Sequence, residues 1–352
     1  SGVWIMAYTD IDKPSDYFEA FAYTGNGNTK VNFASDFTPN MTWFKVRNNT
    51  YDHQIHDSVR GVNAGYLDSA TSVVEQSSYP IASFDSDGVT TVSGNITGVN
   101  KTSDLMVSWN WKAGGSASSN SNGSITSSVS VNTTAGFSIV KYQGTGANAT
   151  VGHGLGSVPK MIFFKSLTNA ISWIVYSSEL NISSSNCLRL NGTNAAFTES
   201  AWNDTRPTTS LFSLGSHNEA NNNSGETIAY CFADVKGFSR MGSYTGNGNT
   251  NGSFVYTGFS PAWLMIKQVA ASNDWFIIDN KREPFNPNNV QLVANTNGSA
   301  STNKGDLNLL SNGFKPLSTN AAWNENNAVY VYMAFAQNPF VTGSSAIPTT
   351  AR

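Results

Sequence analysis

Charge is what this sequence has least of. Only 12% of its 352 residues are Asp, Glu, Lys or Arg, and the balance is −3, against a usual charged share of about 25%. No field exists to draw in a polyanion, so neither nucleic acid nor an anionic membrane is an expected partner. Long apolar runs are missing as well: no stretch approaches the ~18 residues of a membrane-spanning helix, and membrane insertion is not expected. The opening SGVWIMAYTD lacks the basic region and long apolar core of a secretory signal. With two cysteines, Cys187 and Cys231, no disulfide scaffold is available; a shared place in a core suits the pair better than a bridge.

What fills the space is Asn, Ser, Thr and Gly, the composition of short strands joined by many turns. The organisation lies in a repeat. YTGNGNT occurs at Tyr23 and again, letter for letter, at Tyr244; YQGTGAN at Tyr142 is a third version. Each tyrosine leads to a proline (Pro39, Pro159, Pro261), and six residues later to a lysine (Lys45, Lys165, Lys267) preceded by an apolar run, MTWF, MIFF or WLMI. From that lysine to the last aromatic of the closing strand (LMVSWNW, TIAYCFA, VYVYMAF) are 66, 67 and 68 residues. Such spacing marks internal duplication. The Asn-Gly and Thr-Gly steps read as hairpin turns rather than phosphate loops, because β-branched and aromatic residues follow them where a nucleotide loop opens a helix.

The expected fold is all-β: three tandem antiparallel β-sandwich or jelly-roll-like domains of about a hundred residues, with little helix. The boundaries are an N-terminal arm (1–16), domain one (17–112), a Gly/Ser/Asn-rich linker (113–136) expected to be extended and unpacked, domain two (137–236), domain three (237–340) and a C-terminal tail (341–352). AGYLDSATSVVEQSS from Ala64 is the best candidate for a short helix.

His53 and His56, beside Asp52 and Asp57, fall on opposite faces of a strand, which does not suit a metal. FDSDG (Asp85, Asp87, Gly88) opens like a calcium loop but lacks the later ligands, so a tight turn is expected. VGHGLG from Val151 is a loop, since its aligned partners lack the glycines. No nucleophile motif accompanies the four histidines. No catalytic residue, metal or cofactor is therefore expected. Trp4, Trp202 and Trp323 would suit stacking on sugar rings if exposed, although core packing accounts for most of the tryptophans. The polar feature that recurs is Asp57 with Arg60 and Asp279 with Arg282, each Asp twelve residues after its lysine. Domain two has neither residue. The pairs read as a structural ion pair or a contact between subunits, with a ligand contact as the other use.

DHQIHDSVRG, SFDSDGVT, VSWNWKAGG, TVGHGLGSVPKMIFFK, FVYTGFSPAWLMIK, WFIIDNKREPFNP and the final MAFAQNPFV with IPTTAR together resemble the repeat-bearing virion proteins of tailed phages, notably marine and cyanobacterial ones. The resemblance implies a structural component of the particle, a tail fibre or appendage at its surface, assembled in the host cytoplasm, and it implies no catalytic residues. Implied partners are other virion proteins, copies of itself as a homotrimer, and host surface glycan. A carbohydrate-binding adhesin and a capsid decoration or shell protein are the alternatives; an enzymatic depolymerase would need an acid cluster that is not evident.

Overall fold

The computed structural model describes residues 9–33, 35–78, 80–181 and 186–342. The regular secondary structure is nearly all strand: among the described residues helix is confined to a 3-10 turn at Pro14–Asp16 and a single turn, α1, at Asn218–Asn221. The first segment forms β1 (Phe18–Thr24), β2 (Lys30–Asn32), β3 (Met41–Val46), β4 (Gln54–Asp57), β5 (Ile81–Asp85), β6 (Gly88–Thr91) and β7 (Leu105–Trp111). Next come β8 (Ser118–Asn120), β9 (Ser127–Asn132), β10 (Phe137–Gln143), β11 (Ala149–Gly152), β12 (Met161–Ser166), β13 (Ile174–Ser177), β14 (Asn186–Arg189), β15 (Phe197–Thr198), β16 (Leu211–Leu214) and β17 (Glu226–Phe232). The last are β18 (Ser239–Thr245), β19 (Val255–Tyr256), β20 (Phe259–Gln268), β21 (Trp275–Asp279), β22 (Leu292–Val293), β23 (Leu307–Leu310), β24 (Gly313–Pro316) and β25 (Val329–Pro339).

Three larger antiparallel sheets share one strand order. It is β1-β7-β3-β4 in the first, β10-β17-β12-β13-β14 within the second, and β18-β25-β20-β21-β22 in the third. In each, the first and closing strands pair and the lysine-bearing strand lies beyond them. Smaller sheets cover the outer faces: β2-β6-β5, β11-β16 and β19-β24-β23.

Why MTWF, MIFF and WLMI read as continuous apolar runs now becomes clear. A strand of a middle layer is buried on both faces, so alternation disappears. Phe44 and Val46 point outward into a core beneath the small sheet, while Met41 and Trp43 point inward. The inward faces of all three sheets meet in one aromatic core holding Phe18, Trp43, Trp109, Trp111, Phe163, Trp173, Tyr230, Phe232, Trp263, Trp275 and Phe335. Phe18 stacks on Phe335 at 4.9 Å, and Trp111 meets Trp263 edge-on at 5.8 Å. The three segments are therefore not beads on a string. They enclose a common interior, and each keeps a second core of its own.

Four expectations are corrected. YTGNGNT is not a hairpin: β1 pairs with β7 whereas β2 pairs with β6, so the turn carries the chain from one sheet to the other. The linker is packed, because β8 and β9 add to the sheet edge at β10; its Ser and Asn residues pair through backbone groups that composition does not weigh. The stretch from Ala64 forms no helix; Leu67 instead bridges Ile55 on β4. Trp202 and Trp323 are buried in the second and third cores, so neither offers a sugar platform. Trp4 lies outside the described residues. Cys187 and Cys231 are free thiols buried in one core, as composition suggested.

Candidate functional site

The recurrent Asp/Arg pairs sit at the end of the fourth strand, where the backbone turns. Asp57 Oδ1 accepts from the Val59 and Arg60 amides at 3.0 and 2.9 Å. Its Oδ2 takes the Arg60 Nε at 2.5 Å. The third segment repeats this: the Lys281 and Arg282 amides reach Asp279 Oδ1 at 3.1 and 2.9 Å, and Arg282 Nε reaches Oδ2 at 2.6 Å. The remaining guanidinium donors go to the Ile55 and Gly65 carbonyls and to Glu75 Oε1 at 2.7 Å in one case, and to the Ile277 and Val290 carbonyls in the other. Both pairs are buried.

Each aspartate also receives a donor from a neighbouring segment. Tyr230, on the closing strand of the second segment, donates to Asp57 at 2.8 Å, and Trp109, on that of the first, donates to Asp279 at 3.0 Å. The third segment's closing strand has Met333 at the position of Tyr230 and Trp109, and the second segment has Ser177 at the position of the aspartate. The loss of Asp in the second segment thus goes with loss of the donor. Leu180, buried in the central core, replaces the arginine, and Ser177 Oγ still accepts the Glu179 amide at 3.3 Å. A buried ion pair with its donor has been exchanged for an apolar set, which physics permits at little cost when all members change together.

The lysines are a more unusual feature. Lys45, Lys165 and Lys267 are fully buried on the inward face, two residues after Trp43, Phe163 and Met265. Carbonyl oxygens hold all three ammonium groups. Lys45 donates to Val46 and Tyr51 at 3.0 and 2.8 Å and to Asn297 of the third segment at 3.1 Å. Lys165 donates to Ile171 at 2.8 Å and to Ser72 of the first at 3.2 Å. Lys267 donates to Gln268 at 2.8 Å and to Thr193 of the second at 3.2 Å. Burial pushes each ammonium down from 10.5 to about 8.

Eight residues after each lysine a ring nitrogen repeats the direction. His53 reaches the Val293 carbonyl at 3.1 Å, Trp173 donates to Asp68 O at 2.8 Å, and Trp275 donates to Arg189 O at 2.8 Å. Trp43 Nε1 donates to His53 Nδ1 at 2.8 Å, which places the histidine's proton on Nε2. Burial, then the charge of Lys45, pushes His53 down to about 3, so it is a neutral donor. First segment grips third, third grips second, second grips first: the ring closes.

Sequence reasoning missed the residues that hold the glycine turns. Buried Asn100, Asn221 and Asn324 accept through Oδ1 from the amides of Asn26, Thr145 and Asn247, at 3.1, 2.7 and 2.8 Å. Their spacing of 77, 79 and 80 residues from Tyr23, Tyr142 and Tyr244 was available, but Asn is too common here for one to stand out. His53 and His56 do fall on opposite faces: His56 lies against Phe44 on the outward side. Asp85 and Asp87 are paired with Lys30 at 2.6 and 2.7 Å across the β5–β6 turn. Among the described residues no cluster of three or more His, Cys, Asp or Glu could hold a metal.

A family model described as Domain of unknown function (DUF7483) matches residues 13–339. Comparison with curated proteins gives no match. The model runs through all three segments without a break, so the shared unit is the whole three-part body.

Proposed function

The chain belongs to the DUF7483 family; on the resemblance carried by its sequence motifs, we propose that it is a non-enzymatic structural component of a phage particle, a tail fibre or appendage that contacts the host surface. One observation carries the reading: the recurrent polar residues are consumed in fastening three segments into a closed ring. Lys45, Lys165, Lys267, Asp57, Arg60, Asp279 and Arg282 are all buried and hydrogen-bonded, so they supply rigidity and offer nothing to a substrate. A weakly charged exterior over a rigid interior suits a part exposed to medium. Head-to-tail contacts close into rings when their rotation allows it, and here one chain supplies three like segments about one interior. The partners on this reading are other virion proteins of matching symmetry.

The test is gold-labelling of this chain on purified particles, with light scattering of the isolated protein. Label on tail appendages is expected; label spread over the head would replace this reading by decoration or shell, and absence from the particle would end it. Scattering separates a single 37.7 kDa chain, which the closed ring favours, from the homotrimer.

A further inference from the structure

The third segment differs from the other two on one face. Four residues before the shared tyrosine, the first segment has Glu19 and the second Ser138, but the third has Arg240. In the small sheets, the position paired with Gly88 is Asn32, while the position paired with Gly313 is Tyr256. Both residues of the third segment line two adjoining concavities of about 340 and 400 Å³, which also share Asp234. Each volume is within the ~300–1,000 Å³ usual for small-molecule sites.

β18 is the outer strand of its sheet, as β1 is of the first. In the second segment the equivalent edge, β10, is covered by β9. Tyr256 stands between the two hollows with 57% of its surface exposed, unlike the tryptophans, which are all buried among the described residues. Around it polar groups are held in place. Asp234 Oδ1 accepts the Met241 amide at 2.7 Å and Oδ2 lies 3.6 Å from Arg240 Nη1. Glu179, from the second segment, accepts from Ser243 Oγ at 2.7 Å. Lys160, Lys236 and Arg240 are balanced by Asp10, Glu179 and Asp234 along the two linings, so a polyanion gains nothing there.

We propose that this double hollow binds a neutral oligosaccharide. One sugar ring lays its C–H face on Tyr256, and hydroxyls of the sugars on either side exchange hydrogen bonds with Arg240, Asp234 and Glu179. The site gives the host-contact reading above its ligand class and rests on that reading only for its biological purpose. Binding is measured on the isolated full chain, and particle labelling is a separate experiment, so either can fail alone.

The test is an array of neutral hexose and N-acetylhexosamine oligosaccharides beside sulfated and uronic-acid glycans, followed by calorimetric titration of the best neutral binder. Expected results are a neutral binder, a loss of roughly tenfold or more in affinity on Tyr256→Ala or Arg240→Ala, and retention by Tyr256→Phe. Both side chains are outside the cores, so the unfolding midpoint should not move. No neutral binder, a preference for anionic glycans, or undiminished binding by Tyr256→Ala would overturn the site.

Discussion

A buried ammonium held by carbonyls alone leaves a signature in pH. Lys165 ionises near 8 in the folded chain and near 10.5 when unfolded, so between those values the unfolded state binds more protons and stability rises with pH. Lys165→Met keeps the length and removes the charge. Between pH 7.5 and 10.5 the native protein should therefore gain about 3 kcal/mol on the variant, from ~1.36 kcal/mol per pKa unit, in urea unfolding at a series of pH values. Parallel curves would contradict the assignment. The aspartates carry a different risk. Asp279→Asn leaves the Arg282 cation buried without its counter-charge, and a loss of about 3–5 kcal/mol is expected in the urea midpoint. Ser177→Ala, at the corresponding place where no charge is buried, should cost under about 1 kcal/mol. Neither contrast was open to the sequence, which displays the two Asp/Arg pairs but not the Tyr230 and Trp109 donors that complete them.

Among elements, the strands were the most legible. MTWF, MIFF and WLMI, each beginning two residues after a proline, fell in the interior of their sheets, because apolarity without alternation is what double burial requires. Turns were legible as turns but not in their route. Asn-Gly announces permissive backbone, and only the pairing partners tell a hairpin from a crossover. The two glycines of the crossover do different work. Gly27, Gly146 and Gly248 have φ of 74°, 68° and 61°, the left-handed region that glycine tolerates best. Gly246 has no such need; a methyl group there would meet the Glu325 carbonyl at 2.3 Å. Gly246→Ala should lower stability by about 2 kcal/mol or more, whereas Gly298→Ala, whose nearest neighbour is 3.4 Å away, should leave it within about 0.5 kcal/mol. Thermal unfolding of the two variants side by side checks this. The linker shows the opposite failure of reading: its polar residues describe surface, yet β8 and β9 pair through backbone groups common to every residue.

For the molecule as a whole, the order of the segments was written in the sequence but their mutual arrangement was not. Spacing from lysine to closing strand compares a segment with itself; the grip of Lys45 on Asn297 spans 252 residues. The aromatic inventory likewise named core residues without telling three separate interiors from one shared interior with three satellites. The ring of contacts makes a definite statement about cooperativity. If the central core and the three lysine grips join the segments, none of them retains its inward face when another unfolds, and heat must disrupt all three together. The direct measurement is differential scanning calorimetry of the full chain. The account predicts one endotherm whose van't Hoff and calorimetric enthalpies agree. Two or three resolved transitions, or a van't Hoff enthalpy near one third of the calorimetric value, would show segments that melt independently and would contradict the closed ring.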